Sequence, residues 1–383
     1  MQQRMYGSLG YPVSLLGMGC MRLPRVFDGK GGASVDVEQA VELIRYAAQN
    51  GVNYFDTAFT YHGGQSEQVL GEALVGLREN VRVVTKQPIA VMKTNSDIRR
   101  NLESTLKKLR TDYLDVYLVH NIMASSWQQI KDRRIYDEFV KLKEEGLIRS
   151  IGFSYHGAFP TFENVINEYP WDMCQVQQNI MDVDKETTDA AIRLAGEKKM
   201  ALVIMEPLRG GGLVNPPPAV QAVYDEAQTK RTALEWAFRH LVDYPQVSCI
   251  LSGMTTLEQL KQNIALFSKE DMLANNLNPS EREMIKKVKA TYEQINSIPC
   301  TGCEYCLPCP NGVAIPDIFK RYNESVMFDY FDQPGRAYML IKRGNADATQ
   351  CVECGACEKQ CPQRIAIMEQ LKKAHEKLDG WLE

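Results

Sequence analysis

Eight of the chain's 11 cysteines fall in two tight groups near its C-terminal end. The second group reads Cys351-x2-Cys354-x2-Cys357-x3-Cys361-Pro362. The first reads Cys300-x2-Cys303-x2-Cys306-x2-Cys309-Pro310, one residue short before its last cysteine. Three thiolates at such intervals suit three irons of one cubane, and a fourth followed by proline turns away to a second cluster. The pattern therefore predicts two [4Fe–4S] clusters. Paired C-x2-C runs also suit four-cysteine zinc sites, but a triple run with a trailing Cys-Pro, occurring twice, favours iron and sulfur. One-electron transfer is the chemistry expected of such centres, with a purely structural role as the alternative. The other three cysteines, Cys20, Cys174 and Cys249, stand singly in apolar stretches and read as small buried hydrophobes.

A second constellation lies in the first half of the chain. Phe55-Asp56-Thr57-Ala58-Phe59-Thr60-Tyr61 is followed by Ser66-Glu67 and Leu70-Gly71, then by Val84-Thr85-Lys86 and Tyr117-Leu118-Val119-His120. Singly each polar residue has a plain explanation: Asp56 as a helix cap, Lys86 as a surface charge, His120 as a satisfied hydrogen-bonder. Their place among the elements joins them. Apolar runs at 14–20, 53–58, 81–86, 114–120, 148–154, 173–179, 201–207 and 247–253 read as strands. Amphipathic stretches at 35–50, 95–109, 136–145, 187–198 and 257–267 read as helices between them, and Asn50-Gly51 is a good helix stop. Eight strands alternating with helices over roughly 250 residues have the rhythm of a (β/α)8 TIM barrel. A doubly wound open sheet is the runner-up, weakened because no G-x-G-x-x-G follows the first strand. In a barrel, Asp56, Tyr61, Lys86 and His120 stand at or beyond the C-terminal ends of consecutive strands, the face where such barrels do chemistry.

The expected organisation is a barrel over 1–285, with an N-terminal hairpin turning at 7–11. A helical linker follows at 286–299, then a small, mostly α-helical cluster domain at 300–383. The stretch between the two cysteine groups carries helical segments, IPDIFKRYNESVMFDYF and AYMLIKRG.

The DTA-x-x-Y block, the T-K pair and the V-H strand end are together similar to the four catalytic positions of the aldo/keto reductase superfamily. The resemblance runs from the hairpin to about Leu266. The remainder resembles the two-cluster ferredoxin-like domain, of the helical kind, fused to one branch of that superfamily. It implies crossed ligation: Cys300, Cys303, Cys306 and Cys361 for one cluster, and Cys351, Cys354, Cys357 and Cys309 for the other. It also implies NAD(P)H-linked reduction of an aldehyde or ketone, or the reverse oxidation of an alcohol, with Tyr61 as general acid and base. A tyrosine of ordinary pKa, about 10, is a weak acid for that task. Lys86 is expected to lower it, Asp56 to hold Lys86 charged, and His120 to orient the carbonyl oxygen.

The segment Gly253-x4-Glu258-Gln259-Leu260-x2-Asn263 is similar to the superfamily's cover for the adenine and ribose phosphate. Ser154, Gln175, Pro207 and Leu208 fall at its other cofactor positions. Three departures stand out: Tyr155 replaces an asparagine, Met205 replaces a stacking aromatic, and Ser252 and Thr255 occupy positions where NADP-preferring relatives often carry a cation. NADP or NAD is expected, with no preference read. The Gly-rich turn Arg209-Gly210-Gly211-Gly212 could approach a pyrophosphate, or be a flexible turn only.

The formal net charge of -4, with no basic face or tail, gives no support for nucleic-acid binding. No run of eighteen or more apolar residues suggests a membrane span, and the start lacks a secretory layout, so a cytoplasmic protein is expected. Three functions are expected in this order: a carbonyl reductase with an appended electron-transfer module; a cluster-dependent enzyme with an electron-carrier partner, bridged by a flavin for which no motif is evident; and a redox-sensing regulator. Phe27, Phe59, Trp127 and Tyr155 are candidates to line the pocket for a small carbonyl or alcohol substrate.

Overall fold

The computed structural model describes residues 1–27, 33–155, 159–182, 186–295, 298–300, 302, 305–328, 330–361 and 363–380. Eight parallel strands close into a barrel: β1 (Leu16–Gly19), β2 (Tyr54–Asp56), β3 (Arg82–Pro88), β4 (Leu114–Ile122), β5 (Ile148–Tyr155), β6 (Met173–Gln177), β7 (Ala201–Met205) and β8 (Val247–Ser252). Each pairs with its neighbours in chain order, and β8 pairs with β1. Each lies within or beside one of the apolar runs read as strands, and closure excludes the open sheet.

The barrel interior follows from the period-two alternation of strands. Tyr54, Val84, Val116, Leu118, Met173, Ala201, Val203, Cys249 and Leu251 form one buried cluster with Tyr6 and Val13. Gly17 lacks a side chain because a Cβ there would meet Cys249 Sγ at 2.7 Å and Leu251 at 2.8 Å. The N-terminal hairpin, Gln3–Met5 against Pro12–Ser14, brings Tyr6 onto Tyr54 with the two hydroxyls 3.0 Å apart. Cys20, Cys174 and Cys249 are fully buried, as small hydrophobes would be.

Helix α1 (Val37–Gln49) shows how local sequence sets the outer ring. Asp36 caps its first turn by accepting from the Gln39 amide, and Ala40, Leu43, Ile44 and Ala47 form its buried stripe. Asn50 ends it, and Gly51 takes the left-handed conformation at φ 90°. Helix α2 (Gln65–Ala73) crosses α3 (Ser96–Leu109) so closely that a Cβ on Gly71 would lie 2.3 Å from the Lys108 carbonyl oxygen and 2.6 Å from Leu109 Cα.

The described chain divides into two compact units, 1–210 with 235–282, and 211–234 with 283–383. In the second, helices Ile315–Met327, Asp332–Arg343 and Ile367–Asp379 surround a core that includes Ile298, Ile318, Phe319, Tyr338 and Leu371. The stretch read as a linker, 286–299, falls largely on helix Pro279–Ile295, which buries Ile285, Val288 and Tyr292. The helices read between the two cysteine groups are present. Among the described residues no helix is long and apolar enough to cross a membrane.

The backbone contact at Gly71 cannot be relieved by a rotamer change. Gly71→Ala is therefore expected to cost about 1–3 kcal/mol by overpacking. At about 2–4 °C per kcal/mol for a domain of this size, thermal unfolding followed by circular dichroism should show the loss, and an unchanged Tm would contradict the crossing described.

Candidate active site

The side chains expected to act form the last inward layer of the barrel strands, together with Met205. Asp56 follows Tyr54 by two residues, Lys86 follows Val84, His120 follows Leu118, Gln175 follows Met173, and Met205 follows Val203. The alternation that buries the apolar layers thus lifts these side chains to the C-terminal end of the barrel. The register agrees, with Asp56 opposite Val84 and Lys86 opposite Leu118.

Lys86 and Asp56 are both almost wholly buried, and the ammonium donates to Asp56 Oδ1 at 2.5 Å and to the Thr57 carbonyl oxygen at 2.6 Å. Burial opposes the lysine charge, yet the nearby Asp56 carboxylate, and after it Tyr61, hold the Lys86 ammonium above the ordinary lysine range. Burial also pushes the Asp56 carboxyl up, against the pull of Lys86. The Lys86 ammonium lies 4.8 Å from the centre of the Tyr61 ring, and that ring meets His120 edge-on at 6.0 Å between centroids. The four residues expected to act together do stand together.

The Tyr61 phenol differs from expectation. Burial is the largest influence and raises its pKa; Lys86 pulls it down as anticipated but is outweighed, and Asp56 and Glu206 push it further up. The net direction is upward because burial penalises phenolate more than one ammonium, itself shared with Asp56, can repay. Glu206, at the end of β7 with φ 54°, was not anticipated as a neighbour of this tyrosine.

Behind Lys86 lies a second buried carboxylate. Glu67 on α2 is fully buried and accepts from Thr85 Oγ1 at 2.8 Å, Thr105 Oγ1 at 2.9 Å and Lys108 at 3.2 Å. Lys108 in turn lies 4.7 Å from the Phe59 ring centre. The turn bearing Tyr61 rests against this network: a Cβ on Gly64 would sit 3.4 Å from the Lys108 ammonium. His62, Gly63 and Gly64 all take left-handed conformations, at φ 51°, 64° and 91°. For histidine that conformation costs about 1–2 kcal/mol that glycine avoids. The Ser66-Glu67 pair was visible in the sequence, but its partners from α3 and β3 are set only by tertiary packing.

On the expected cofactor side, Ser154 is buried and its hydroxyl accepts from the Asn121 amide at 2.8 Å. Gln175 donates to Met205 Sδ at 3.7 Å, and its Oε1 is buried without a hydrogen-bond partner among the described residues. Pro207 is buried and Leu208 half-buried after β7. Gly253, Glu258 and Gln259 are exposed at the start of helix Leu257–Phe267. Gln259 is committed to a capping box with Thr256 and also accepts from the Thr255 amide at 2.9 Å. Asn263 is buried and donates to Ser252 Oγ at 3.1 Å. The Arg22 side chain packs over Gly253, whose Cβ, if present, would lie 3.0–3.1 Å from it. Arg22 lies in the turn Cys20–Arg22 that follows β1.

Of the pocket candidates, Tyr155 packs against Phe162 at 5.5 Å and Trp127 against Tyr169 at 6.1 Å. Phe59 carries the Lys108 contact, and the Phe27 side chain lies outside the described residues.

In the second unit, Cys309, Cys351, Cys354 and Cys357 line one cavity with Val313, Ile315, Met368 and Leu371. The last cysteine of the first motif thus shares a pocket with the first three of the second, despite the shortened gap before it. Cys300, Cys306 and Cys361 pack against the same apolar core, and Cys303 lies outside the described residues. This donor set of soft sulfurs with an apolar wall fits iron–sulfur ligation.

Residues 15–277 match the aldo/keto reductase family and residues 299–366 match a 4Fe-4S dicluster domain. An uncharacterized oxidoreductase of Bacillus subtilis is 25% identical over 297 residues, covering 69% of this chain and 90% of its own length. L-galactose dehydrogenase of Arabidopsis thaliana is 26% identical over 320 residues, covering 77% and 95%. A solved aldo-keto reductase from Bacillus halodurans in its holo form superposes with a TM-score of 0.63 at 24% identity, covering 75% of this chain and 96% of that one, and supports the fold. With a family match over most of the barrel and a cluster domain behind it, the chain belongs to the aldo/keto reductase family of oxidoreductases and carries a C-terminal 4Fe-4S dicluster domain.

Proposed function

We propose that the barrel interconverts a small carbonyl compound and its alcohol with NADPH or NADH, Tyr61 giving or taking the proton. The observation that carries this reading is the Lys86 ammonium, bonded to Asp56 and lying against the Tyr61 ring, with His120 at that ring's edge. A bound nicotinamide cofactor supplies or accepts the hydride at carbon. In reduction, the Tyr61 hydroxyl donates its proton to the carbonyl oxygen, and His120 orients that oxygen. Lys86 stabilises the phenolate left behind, and Asp56 keeps Lys86 charged and in place. The orphaned Gln175 Oε1 is an acceptor suited to a carboxamide N–H, which supports a nicotinamide at this layer. Ser154, Pro207, Leu208, Gly253, Glu258, Gln259 and Asn263 are the proposed remaining contacts.

The cluster domain is proposed to hold two [4Fe–4S] clusters. One set is Cys309, Cys351, Cys354 and Cys357, supported by their shared cavity. The other is Cys300, Cys303, Cys306 and Cys361. Cys354 is exposed, which suits one-electron exchange with a carrier protein. A reducing compartment such as the cytoplasm suits these thiolates.

A raised Tyr61 pKa has a definite sign in catalysis. The phenol stays protonated past the ordinary value of about 10, so reduction of 4-nitrobenzaldehyde should not lose its acid below that pH, whereas oxidation of the alcohol should climb through the alkaline range. Lys86→Met removes the main influence lowering that pKa and should depress turnover in both directions while pushing the alkaline limb higher. Turnover unchanged by Lys86→Met would contradict the assigned roles.

Iron analysis of anaerobically purified protein tests the ligand sets. About eight irons per chain are expected of two cubanes, and Cys309→Ser should lower the count toward about four. Full retention of iron in that variant would exclude Cys309 as a ligand.

A further inference from the structure

We infer that His62 is a positioning residue for Tyr61, its ring tying the turn that bears the tyrosine to the segment after β1. This rests on the reading of Tyr61 as proton donor and adds the device that holds it. The His62 Nε2 accepts a hydrogen bond from the Leu23 amide at 3.3 Å. A neutral ring that accepts at Nε2 carries its proton on Nδ1. Burial first, and then the nearby Arg25, disfavour a charged imidazole. The residue sits at φ 51° where the next two positions are glycine, so a side chain is kept where a third glycine would be easier to accommodate.

The segment it grips is bound a second time, through Ser66. The Cys20 carbonyl oxygen accepts from Ser66 Oγ at 3.0 Å, Ser66 Oγ lies 2.8 Å from Thr57 Oγ1, and the Thr57 carbonyl oxygen accepts from Lys86. Beyond it, the Arg22 carbonyl oxygen accepts from Thr255 Oγ1 at 3.1 Å. His62 therefore closes a loop of contacts running from Lys86 through Thr57, Ser66 and Cys20 to the residue beside Tyr61. The same segment reaches the loop after β8. Opening the His62 contact leaves Tyr61 on a glycine-rich turn with no side-chain tie of its own to that segment.

The test needs neither substrate nor nicotinamide. Full-length, cluster-loaded protein is labelled with 15N in histidine rings and 13C at tyrosine Cζ, and the two signals are assigned by their loss in His62→Gly and Tyr61→Phe. Because Nε2 accepts from the Leu23 amide, the wild-type His62 ring should show the Nδ1–H tautomer at neutral pH. His62→Gly keeps the left-handed turn while removing the ring, and should displace the Tyr61 Cζ signal toward that of free tyrosine. His62→Gln, which returns an acceptor near the Nε2 position, should hold it near the wild-type value. An Nε2–H tautomer, a Tyr61 signal unmoved in His62→Gly with unchanged circular dichroism, or a His62→Gln variant that behaves as His62→Gly would overturn the assignment. A Tyr61 signal that responds as expected in a protein that reduces no carbonyl would instead leave the clasp standing and remove the catalytic reading.

Discussion

A lysine ammonium buried in the top layer of a barrel is the constraint around which this site is built. Desolvating such a charge costs several kcal/mol, and Asp56 and the Thr57 carbonyl oxygen offset that cost at 2.5 and 2.6 Å. The pair has to be placed by two neighbouring strands, and the register of β2 on β3 does so. Removing either partner leaves a buried, uncompensated charge, an effect of about 3–5 kcal/mol in comparable pairs. Glu67, buried behind the strand and neutralised by Lys108 with two threonine hydroxyls, extends the same solution one layer outward. Tyr61 takes its electrostatic setting from this arrangement.

That setting is a compromise between two physical effects. Lys86 favours phenolate, but the burial that makes the lysine effective also raises the cost of any net charge on the tyrosine. Burial wins, which leaves a phenol that is protonated across the neutral range. A protonated phenol is the form that the proposed reduction needs, and the proposed reverse reaction needs the phenolate. In the cluster unit, cysteines from two motifs distant in sequence, Cys309 and Cys351, Cys354 and Cys357, line one cavity.

The period-two runs and the helix stops made the barrel legible, because strand burial and capping act over a few residues and leave their mark locally. The grouping of Asp56, Tyr61, Lys86 and His120 could be foreseen for the same reason, each lying at or just past a strand end. Three things were not. The Tyr61 shift depends on the balance of burial against charge in three dimensions. The Glu67 partners, Thr85, Thr105 and Lys108, are brought together by the packing of α2 on α3 and β3. The attachment of 211–234 to the C-terminal unit is a long-range contact with no local signature. Conversely, Cys309 sits one residue short of the spacing in the second motif, yet it lines one cavity with Cys351, Cys354 and Cys357.

The central claim is that this barrel transfers hydride between nicotinamide and a carbonyl carbon while Tyr61 handles the proton. The most direct measurement follows the label. Purified protein is incubated anaerobically with 4-nitrobenzaldehyde and NADPH or NADH deuterated at C4 of the nicotinamide, and the alcohol is examined by mass spectrometry. The account predicts deuterium on the carbinol carbon from at least one of the two cofactors, and loss of that product in Tyr61→Phe. Alcohol whose carbinol hydrogen comes from water, no alcohol with either cofactor, or full labelling in Tyr61→Phe would contradict it.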